Sequence, residues 1–395
     1  MARVAVVCEV VGRYGGTERY WETVLPQLAR SHDVRLRARV VQEPDRFGVR
    51  AQRIDWADED SPPSTGGAER VRDAVAGCDA VFTANVFDEH VLTAVREAAP
   101  RWIARVHDYR PFCPNGNKVF PQFPSVCTSS MGNACAVNAV LRGCVRGPRV
   151  ESMHRIAQRM RVRDRLMLAD EVLVSSRYVR RTCIRNGLPS DRIRITPPPL
   201  ADEAYSEWSN PTSTNAVLFS GRLNDQKGLC SLIRALARIS AEQRPLLIVA
   251  GVGDSREETS AHNLAQRYGV AVSWRGWLAQ RELRAAIDEA NIVAVPSLWP
   301  EPFGLTGIEA QARGRPVVAY DVGGVADWII GAGIAVPRGD EAALARAIER
   351  LTADRVCWQE YSKAGREQAE RFRLRAHIEM LEGILMAHSA LGGKA

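Results

Sequence analysis

No apolar run in this 395-residue chain reaches the ~18–20 residues that cross a bilayer, so no membrane-spanning helix is expected. The start, MARVAVVCEVVGRYGG, has a short apolar stretch followed by the glycine-bearing segment from Gly12 to Gly16, not by a cleavage site. It reads as a first strand instead of a secretion signal, which sets the expectation of a cytoplasmic protein. Nine cysteines fall short of a disulfide-scaffold density. No C-x-x-C pair occurs, although that spacing is the strongest zinc signal. Internal repeats and low-complexity segments are absent, and Asp58–Gly67 is only a polar loop. Lysine is scarce beside arginine. The net charge of +7 and pI of about 9.0 weakly favour polyanionic partners, but an arginine-rich chain also follows from a GC-rich genome. Interleaved aromatics and known nucleic-acid motifs are missing, so nucleic acid is not an expected partner.

What is present is a soluble globular composition, 46% hydrophobic and 25% charged, on a chain long enough for two domains. Apolar strand patterns alternate with helical ones, the signature of parallel sheets with helices on both faces. The expected strands of the first half are Val4–Val10, Val34–Val41, Ala80–Ala84, Trp102–His107 and Glu171–Ser175. Those of the second half are Ala216–Ser220, Pro245–Ala250, Val270–Trp274, Ile292–Pro296 and Pro316–Tyr320. Between them Thr196-Pro197-Pro198-Pro199-Leu200 is stiff and short of backbone donors. The expected division is a Rossmann-like domain over 1–198, a second over 199–370, and a last helical stretch over 371–395 packing back on the first. Its helical pattern runs from about Arg371 to Ala390.

Chemistry concentrates in LWPEPFGLTGIEAQARGRPVVAYDVGG, residues 298–324. Glu301 and Glu309 flank a turn containing Gly304, directly after an apolar strand. A helical pattern begins near Leu305 and stops at Gly314. Free N–H groups at a helix start attract phosphate, while carboxylates accept hydrogen bonds from hydroxyls. A second segment, Ser220-Gly221-Arg222-Leu223-Asn224-Asp225-Gln226-Lys227-Gly228, also joins a strand to a helix. Arg222 offers a bidentate fork to phosphate and Lys227 a compact charge. A third strand end, Ala250-Gly251-Val252-Gly253-Asp254, lacks the last glycine of a dinucleotide fingerprint, and Asp254 would oppose phosphate. It reads as a turn that needs small residues beside a nucleotide.

In this order and spacing, these segments resemble glycosyltransferase family 4. The Gly15-Gly16-Thr17-Glu18-Arg19 start and Gly323-Gly324 belong to the same likeness, which covers nearly the whole chain. It implies the GT-B fold, two Rossmann-like domains with parallel sheets facing across a cleft. It also implies retaining transfer of a sugar from a UDP- or GDP-sugar without a catalytic metal. By the same resemblance Glu301 lies at the donor sugar, Glu309 at the ribose hydroxyls, and Arg222 and Lys227 at the diphosphate. Backbone N–H groups from Phe303 through Gly304 and Leu305 to Thr306 are shared between sugar and phosphate. Gly15 and Gly16 let backbone approach the ligand. His107, at a strand end, orients the sugar or shapes the acceptor mouth, with Asp108 as a neighbour. Gly221 and Gly251 line the donor side, and Arg275-Gly276-Trp277 lies near the base. No enzymic nucleophile is evident, so retention by same-face attack rests on the resemblance.

Four cysteines, Cys113, Cys127, Cys135 and Cys144, cluster in a loop-rich insertion (about 108–150) that also holds Pro111, Pro114, Pro121 and Pro124. Thiolates could staple such a loop through structural zinc or an iron–sulfur cluster. Four free thiols, or a disulfide pair, are the alternatives. A subgroup of the family has a similar Cys-Pro-Asn start with a C-x-x-C pair, whose second position is Ser130 here. The other cysteines (Cys8, Cys78, Cys183, Cys230 and Cys357) read as small buried residues. From Arg142 to Arg165 come eight arginines: Arg142, Arg146, Arg149, Arg155, Arg159, Arg161, Arg163 and Arg165. Met153, Ile156, Met160 and Met167 recur among them at near-helical spacing. A basic amphipathic helix is expected, either packed on the core or in peripheral contact with anionic membrane at its inner face.

The acceptor is not legible, because acceptor pockets are built from loops; a cell-envelope glycan, a glycolipid and a natural-product precursor all fit. Two other readings stay open: a nucleotide-sugar epimerase or hydrolase on the same fold, and a metal-stabilised nucleic-acid-binding protein.

Overall fold

The computed structural model describes residues 1–12, 15–57, 65–120, 125–145, 149–205 and 214–387. Residues 58–64 of the expected polar loop, Pro121, Pro124, Arg146 and residues 388–390 of the last helical pattern lie outside them. The chain divides into two compact units, Met1–Pro199 with Leu374–Ala395, and Leu200–Arg373.

The first unit is built on seven strands: β1 (Arg3–Val11), β2 (Asp33–Val41), β3 (Ala51–Arg53), β4 (Ala80–Ala84), β5 (Trp102–Val106), β6 (Glu171–Val174) and β7 (Ile193–Ile195). They form one sheet in the order β3-β2-β1-β4-β5-β6-β7, with every pair parallel. β4, β5 and β6 are buried at every position, which is why they read as largely apolar runs, broken only by Thr83, Arg105 and Glu171, and not as alternation. Helix α1 (Gly16–Ser31) lays Tyr20, Trp21, Val24, Leu25 and Leu28 on the sheet, the spacing of one helical face. The helix Leu374–Met386 joins that core through Leu374, Leu381, Ile384 and Leu385, and Arg101 donates to the Leu385 carbonyl at 3.1 Å.

The second unit has six strands: β8 (Ala216–Ser220), β9 (Leu246–Ala250), β10 (Val272–Gly276), β11 (Ile292–Val295), β12 (Val317–Tyr320) and β13 (Ile334–Val336). Their order is β10-β9-β8-β11-β12-β13, again parallel throughout. In each sheet the first strand of the unit sits centrally, so successive crossovers turn opposite ways on its two sides. That produces a switch point where the loops after β1 and β4, and after β8 and β11, leave side by side.

Three strands escaped the sequence: β3, β7 and β13, each of three residues and all at sheet edges. The expected basic helix from Arg142 to Arg165 also needs correction. α4 (Asn133–Arg142) stops at Gly143, which takes the left-handed conformation at φ 54°, and α5 starts afresh over Arg149–Leu166.

Candidate active site

Because β8 and β11 are neighbours in register, Ile292 opposite Val217 and Ala294 opposite Phe219, the loops that follow them meet. After β8, the Asn224 side chain accepts from the Lys227 amide at 3.0 Å and closes a single 3-10 turn. This fixes the base of the Lys227 side chain. Gly228 follows at φ +76°, where a Cβ would stand 1.9 Å from the Pro296 carbonyl oxygen. The two loops therefore touch backbone to backbone, which only glycine permits. Leu298 donates to the Gln226 carbonyl at 2.7 Å, and Arg338 donates to the Leu298 carbonyl at 2.6 Å.

Held this way, Lys227 and Glu301 form an ion pair, Nζ to Oε1 at 2.6 Å. Ser297 donates to the same carboxylate oxygen at 2.5 Å, and the Lys227 ammonium stands 5.5 Å from the centre of the Trp299 ring. Glu301 is buried and Lys227 about one-quarter exposed (side chains 5% and 23%). Burial opposes ionisation of Glu301, yet the Lys227 charge, with hydrogen bonds from Lys227, Ser297 and Trp299, outweighs it and holds the carboxyl below its usual range. Its backbone is gripped as tightly: Gly324 donates to the Glu301 carbonyl at 2.7 Å. Gly323, at φ +66°, leaves no room for a Cβ, which would lie 2.4 Å from that oxygen.

Helix α10 (Leu305–Ala312) begins at Gly304, itself left-handed at φ 92°, and has no side-chain cap. Its opening is braced from below. Trp328 donates through Nε1 to the Phe303 carbonyl at 2.6 Å, and its ring lies where any Cβ on Gly307 would fall, at 2.1 Å. Thr306 Oγ1 approaches the Ser220 carbonyl at 3.4 Å, tying the helix start to the end of β8. Glu309 is buried within the helix at 3% exposure. An uncapped helix start offers N–H donors and positive potential to an anion. With Lys227 and two buried carboxylates beside these loops, the geometry provides a place for phosphate and acceptors for hydroxyls.

Arg222 is in the same loop but exposed; the structure brings Lys227 to Glu301 and leaves Arg222 outside that pair. Gly251 seals the neighbouring turn: at φ +147° its Cβ would overlap the Gly221 oxygen at 1.8 Å, and its amide donates to the Gly276 carbonyl at 2.7 Å. Asp254 caps the following helix by accepting from the amides of Arg256 and Glu257. Past β10, Arg275 is engaged with Ser273 and Glu289, both at 2.8 Å, while the Trp277 side chain is 55% exposed. Ser297, Trp299 and Asn224 went unrecognised in the sequence. Their signal was position alone, beside a strand end or a glycine.

In the first unit His107 comes directly after β5. Its ring packs edge-on against Tyr20 and Trp21, centroids 5.3 and 6.3 Å apart, and its Nε2 is buried without a hydrogen-bond partner. Burial first, then the charges of Arg105 and Arg110, push its pKa well below the imidazole range, so it is neutral at physiological pH. Arg105 lies over the Tyr20 ring at 3.7 Å and donates to the Thr196 hydroxyl and carbonyl at 2.7 and 3.0 Å. The Tyr20 hydroxyl meets His377 Nε2 at 2.9 Å. Asp108 spends its carboxylate locally, accepting from the Arg110 amide and Nε, both at 2.9 Å. Gly15 precedes Gly16 at the start of α1 with extended backbone, and a Cβ there would meet only the Glu18 carboxylate at 3.7 Å. The local fold tolerates a side chain at Gly15, so its smallness leaves open space. Asn85, at the end of β4, is left-handed at φ 56° and donates to Thr17 Oγ1 at 3.1 Å. Nothing in the sequence had singled it out.

The insertion corrects one expectation. Cys113, Cys127, Cys135 and Cys144 are all free thiols. They lie near enough to feel one another: burial, then Cys113, Cys135 and Cys127, pushes Cys144 up to about 11. Yet among the described residues no group of three or more His, Cys, Asp or Glu side chains is set to hold a metal ion. The closed zinc or iron–sulfur site expected from the sequence has no counterpart there. Burial also raises Cys135, which favours the uncharged thiol over the thiolate a metal needs. Three arginines of α5 are committed within the protein. Arg159 is 2% exposed, Arg161 pairs with Glu89 at 2.6 Å, and Arg163 binds Asp164 and the Met131 carbonyl.

Comparison with known proteins follows the same division. The family model for glycosyl transferases group 1 matches residues 202–372. The D-inositol 3-phosphate glycosyltransferase of Corynebacterium aurimucosum is 34% identical over 201 residues, covering 47% of this chain and 46% of that enzyme. The chain spans about half, or less, of the length of the curated relatives it matches. Among solved structures, Anabaena HepE in complex with UDP superposes with a TM-score of 0.75 at 16% identity, covering 98% of this chain and all of that one. Sucrose-phosphate synthase from Thermosynechococcus elongatus gives 0.73 at 22% identity, with 99% and 100% covered. The second unit thus matches the model of the group 1 glycosyl transferases over almost its whole length, and the chain shares the GT-B fold of these solved structures.

Proposed function

We propose that the chain transfers a sugar from a nucleoside-diphosphate sugar to an acceptor hydroxyl, with retention at the anomeric carbon. The observation that carries this is the Lys227–Glu301 pair beside the uncapped start of α10, at the switch point of the second sheet. Breaking the bond between the anomeric carbon and the phosphate oxygen leaves positive charge on the sugar ring and negative charge on the diphosphate. Lys227, the α10 amides from Leu305 and Thr306, and Arg222 from its exposed position are assigned to the diphosphate. Such preorganised charge usually supplies most of the catalysis. Glu301 is assigned to the sugar, and Glu309 to the ribose hydroxyls. The new bond forms on the face the phosphate leaves, and the departing phosphate oxygen takes the acceptor's proton. In the first unit, Gly15 and Gly16 are assigned to close backbone approach to the donor, and His107 to orienting the sugar or shaping the acceptor mouth. His107, being neutral, can orient a hydroxyl but not carry charge. The group 1 match to residues 202–372 and the UDP complex of HepE support a UDP-sugar as the first donor to test, with GDP-sugars next.

Thermal-shift screening against UDP-, GDP- and dTDP-sugars reads the base: a ligand at a hundred times its dissociation constant stabilises by ~2.7 kcal/mol. Transfer then requires nucleotide release that depends on an added acceptor. Release that no acceptor ever accelerates would replace this proposal with a hydrolase or epimerase. Transfer is proposed to need no catalytic metal, so EDTA should leave the rate of a short assay unchanged.

A further inference from the structure

Glu301 is held by more than its ion pair, and its second holder has no other partner. Ser297 stands just past the end of β11 (Ile292–Val295) and is 1% exposed. Among the described residues the one hydrogen bond of its hydroxyl runs to Glu301 Oε1, at 2.5 Å. Lys227 Nζ reaches the same oxygen at 2.6 Å, from the loop after β8. Two donors from two loops on one oxygen take away the carboxylate's freedom to rotate about its last bond. The backbone beneath Ser297 is clamped as well. The Leu298 amide donates to the Gln226 carbonyl at 2.7 Å, and the Pro296 carbonyl closes on Gly228. Stability alone does not call for this arrangement. A buried ion pair carries a desolvation cost that apolar side chains of the same volume avoid, whereas a fixed carboxylate matters where developing charge must be met from one direction.

We propose that Ser297 is a positioning residue for transfer: together with Lys227 it holds Oε1 and so sets the Glu301 carboxylate toward the donor sugar. This rests on the assignment of Glu301 to the sugar made above. A carboxylate already oriented when the ring gains positive charge loses nothing to reorganisation at that moment. The charge it meets exists only in the transition state, so its orientation bears on turnover and not on donor affinity. Ser297 itself touches neither sugar nor phosphate in this role.

The test follows UDP release from UDP-glucose as the probe donor, because transfer and hydrolysis break the same bond. Ser297→Ala should lower kcat about tenfold or more while KM stays within about twofold. Ser297→Thr, which keeps the hydroxyl, should restore most of the rate; should its extra methyl lower the melting temperature, Ser297→Cys replaces it. Losing a donor raises the Glu301 pKa, so on acidification the alanine variant should lose kcat at a higher pH than the wild type. Carbon-13 NMR of labelled glutamate carboxylates, with Glu301 assigned through Glu301→Gln, should show the same upward shift with no donor present. Ser231→Ala removes another buried serine bonded to a carboxylate (2% exposed; Glu341 at 3.2 Å) and should leave both readouts unchanged. An unaltered Glu301 titration in folded Ser297→Ala, or a raised KM with kcat intact, overturns the proposal. A wild-type chain that releases nucleotide from neither UDP-glucose nor GDP-sugars refutes the functional reading instead, and the donor-free titration still decides whether Ser297 holds the carboxylate.

Discussion

The two sheets share their wiring but carry opposite chemistry at the switch points. In the second unit the loops after β8 and β11 bring an ammonium and a carboxylate together at 2.6 Å beside an uncapped helix start. In the first, next to the switch point, the helix that follows β1 and the residue that follows β5 carry rings: His107 against Tyr20 and Trp21 of α1, with Arg105 buried over Tyr20. One site keeps its groups ionised against burial, the other keeps its imidazoles neutral through burial. A parallel sheet with a central first strand only guarantees that two loops meet; which chemistry results depends on the few side chains those loops carry.

The sharpest way to break the contrast is to remove the charge in the second unit. Lys227→Ala should lower turnover by ~10²–10³-fold, and with its cation gone Glu301 should titrate higher than in the wild type, because burial is then opposed only by the hydrogen bonds from Ser297 and Trp299. Near-normal initial rates would refute the assignment of Lys227 to the diphosphate. Glu309→Ala should come next. It should weaken donor binding, measured by calorimetry, far more than it slows the bound complex, since ribose contacts serve ground and transition states alike.

Acid titration separates the units by pH. His107 and His377 have folded pKa values depressed well below the imidazole range, by burial first and then by arginine charge. Their stabilisation is full above about pH 6.5 and is lost as pH falls below it, because the unfolded chain takes up the protons first. Glu301, also depressed, begins to lose its contribution only below about pH 4.5. Hydrogen exchange should therefore show α1, β5 and the helix Leu374–Met386 losing protection at pH 5 while β8 and β11 hold. The slope is at most ~1.4 kcal/mol per pH unit for each histidine. Loss of protection in both units together would erase the distinction. The smallest effect expected is that of Tyr20→Phe, which removes the hydrogen bond to His377 and should cost about 1 kcal/mol in denaturant unfolding.

Much of this was legible in the chain. Strands buried on both faces read as apolar runs, so Ala80–Ala84 and Ala216–Ser220 match the observed elements end to end. β3, β7 and β13 did not, because a three-residue edge strand needs a neighbour's hydrogen bonds and leaves no periodicity of its own. The Lys227 and Glu301 segments stood out through their glycines, but their ion pair did not. Sequence places both residues after strands without saying that those strands are neighbours. Lys227 had one further signal: lysines number only four here, at 118, 227, 363 and 394, so a lysine among so many arginines marks a place where a compact charge is needed. The Arg105, Tyr20 and His377 cluster was invisible, since its members come from three distant segments. The helix break at Gly143 was missed because arginine spacing was weighed over the glycine.

Three glycines of the second unit carry a consequence for change over evolutionary time. A Cβ at Gly228, Gly251 or Gly323 would collide with backbone atoms of another loop, at 1.9, 1.8 and 2.4 Å. The frame of the pocket is thus main chain set against main chain, with no side chain as a spacer. Side chains hung on such a frame can be exchanged without moving it, so new substrates can be explored by swapping exposed residues such as Trp277 (55% exposed) while the fold stays put. A lineage can drift in what it recognises, and a designer can randomise those positions freely, provided the glycines are left alone.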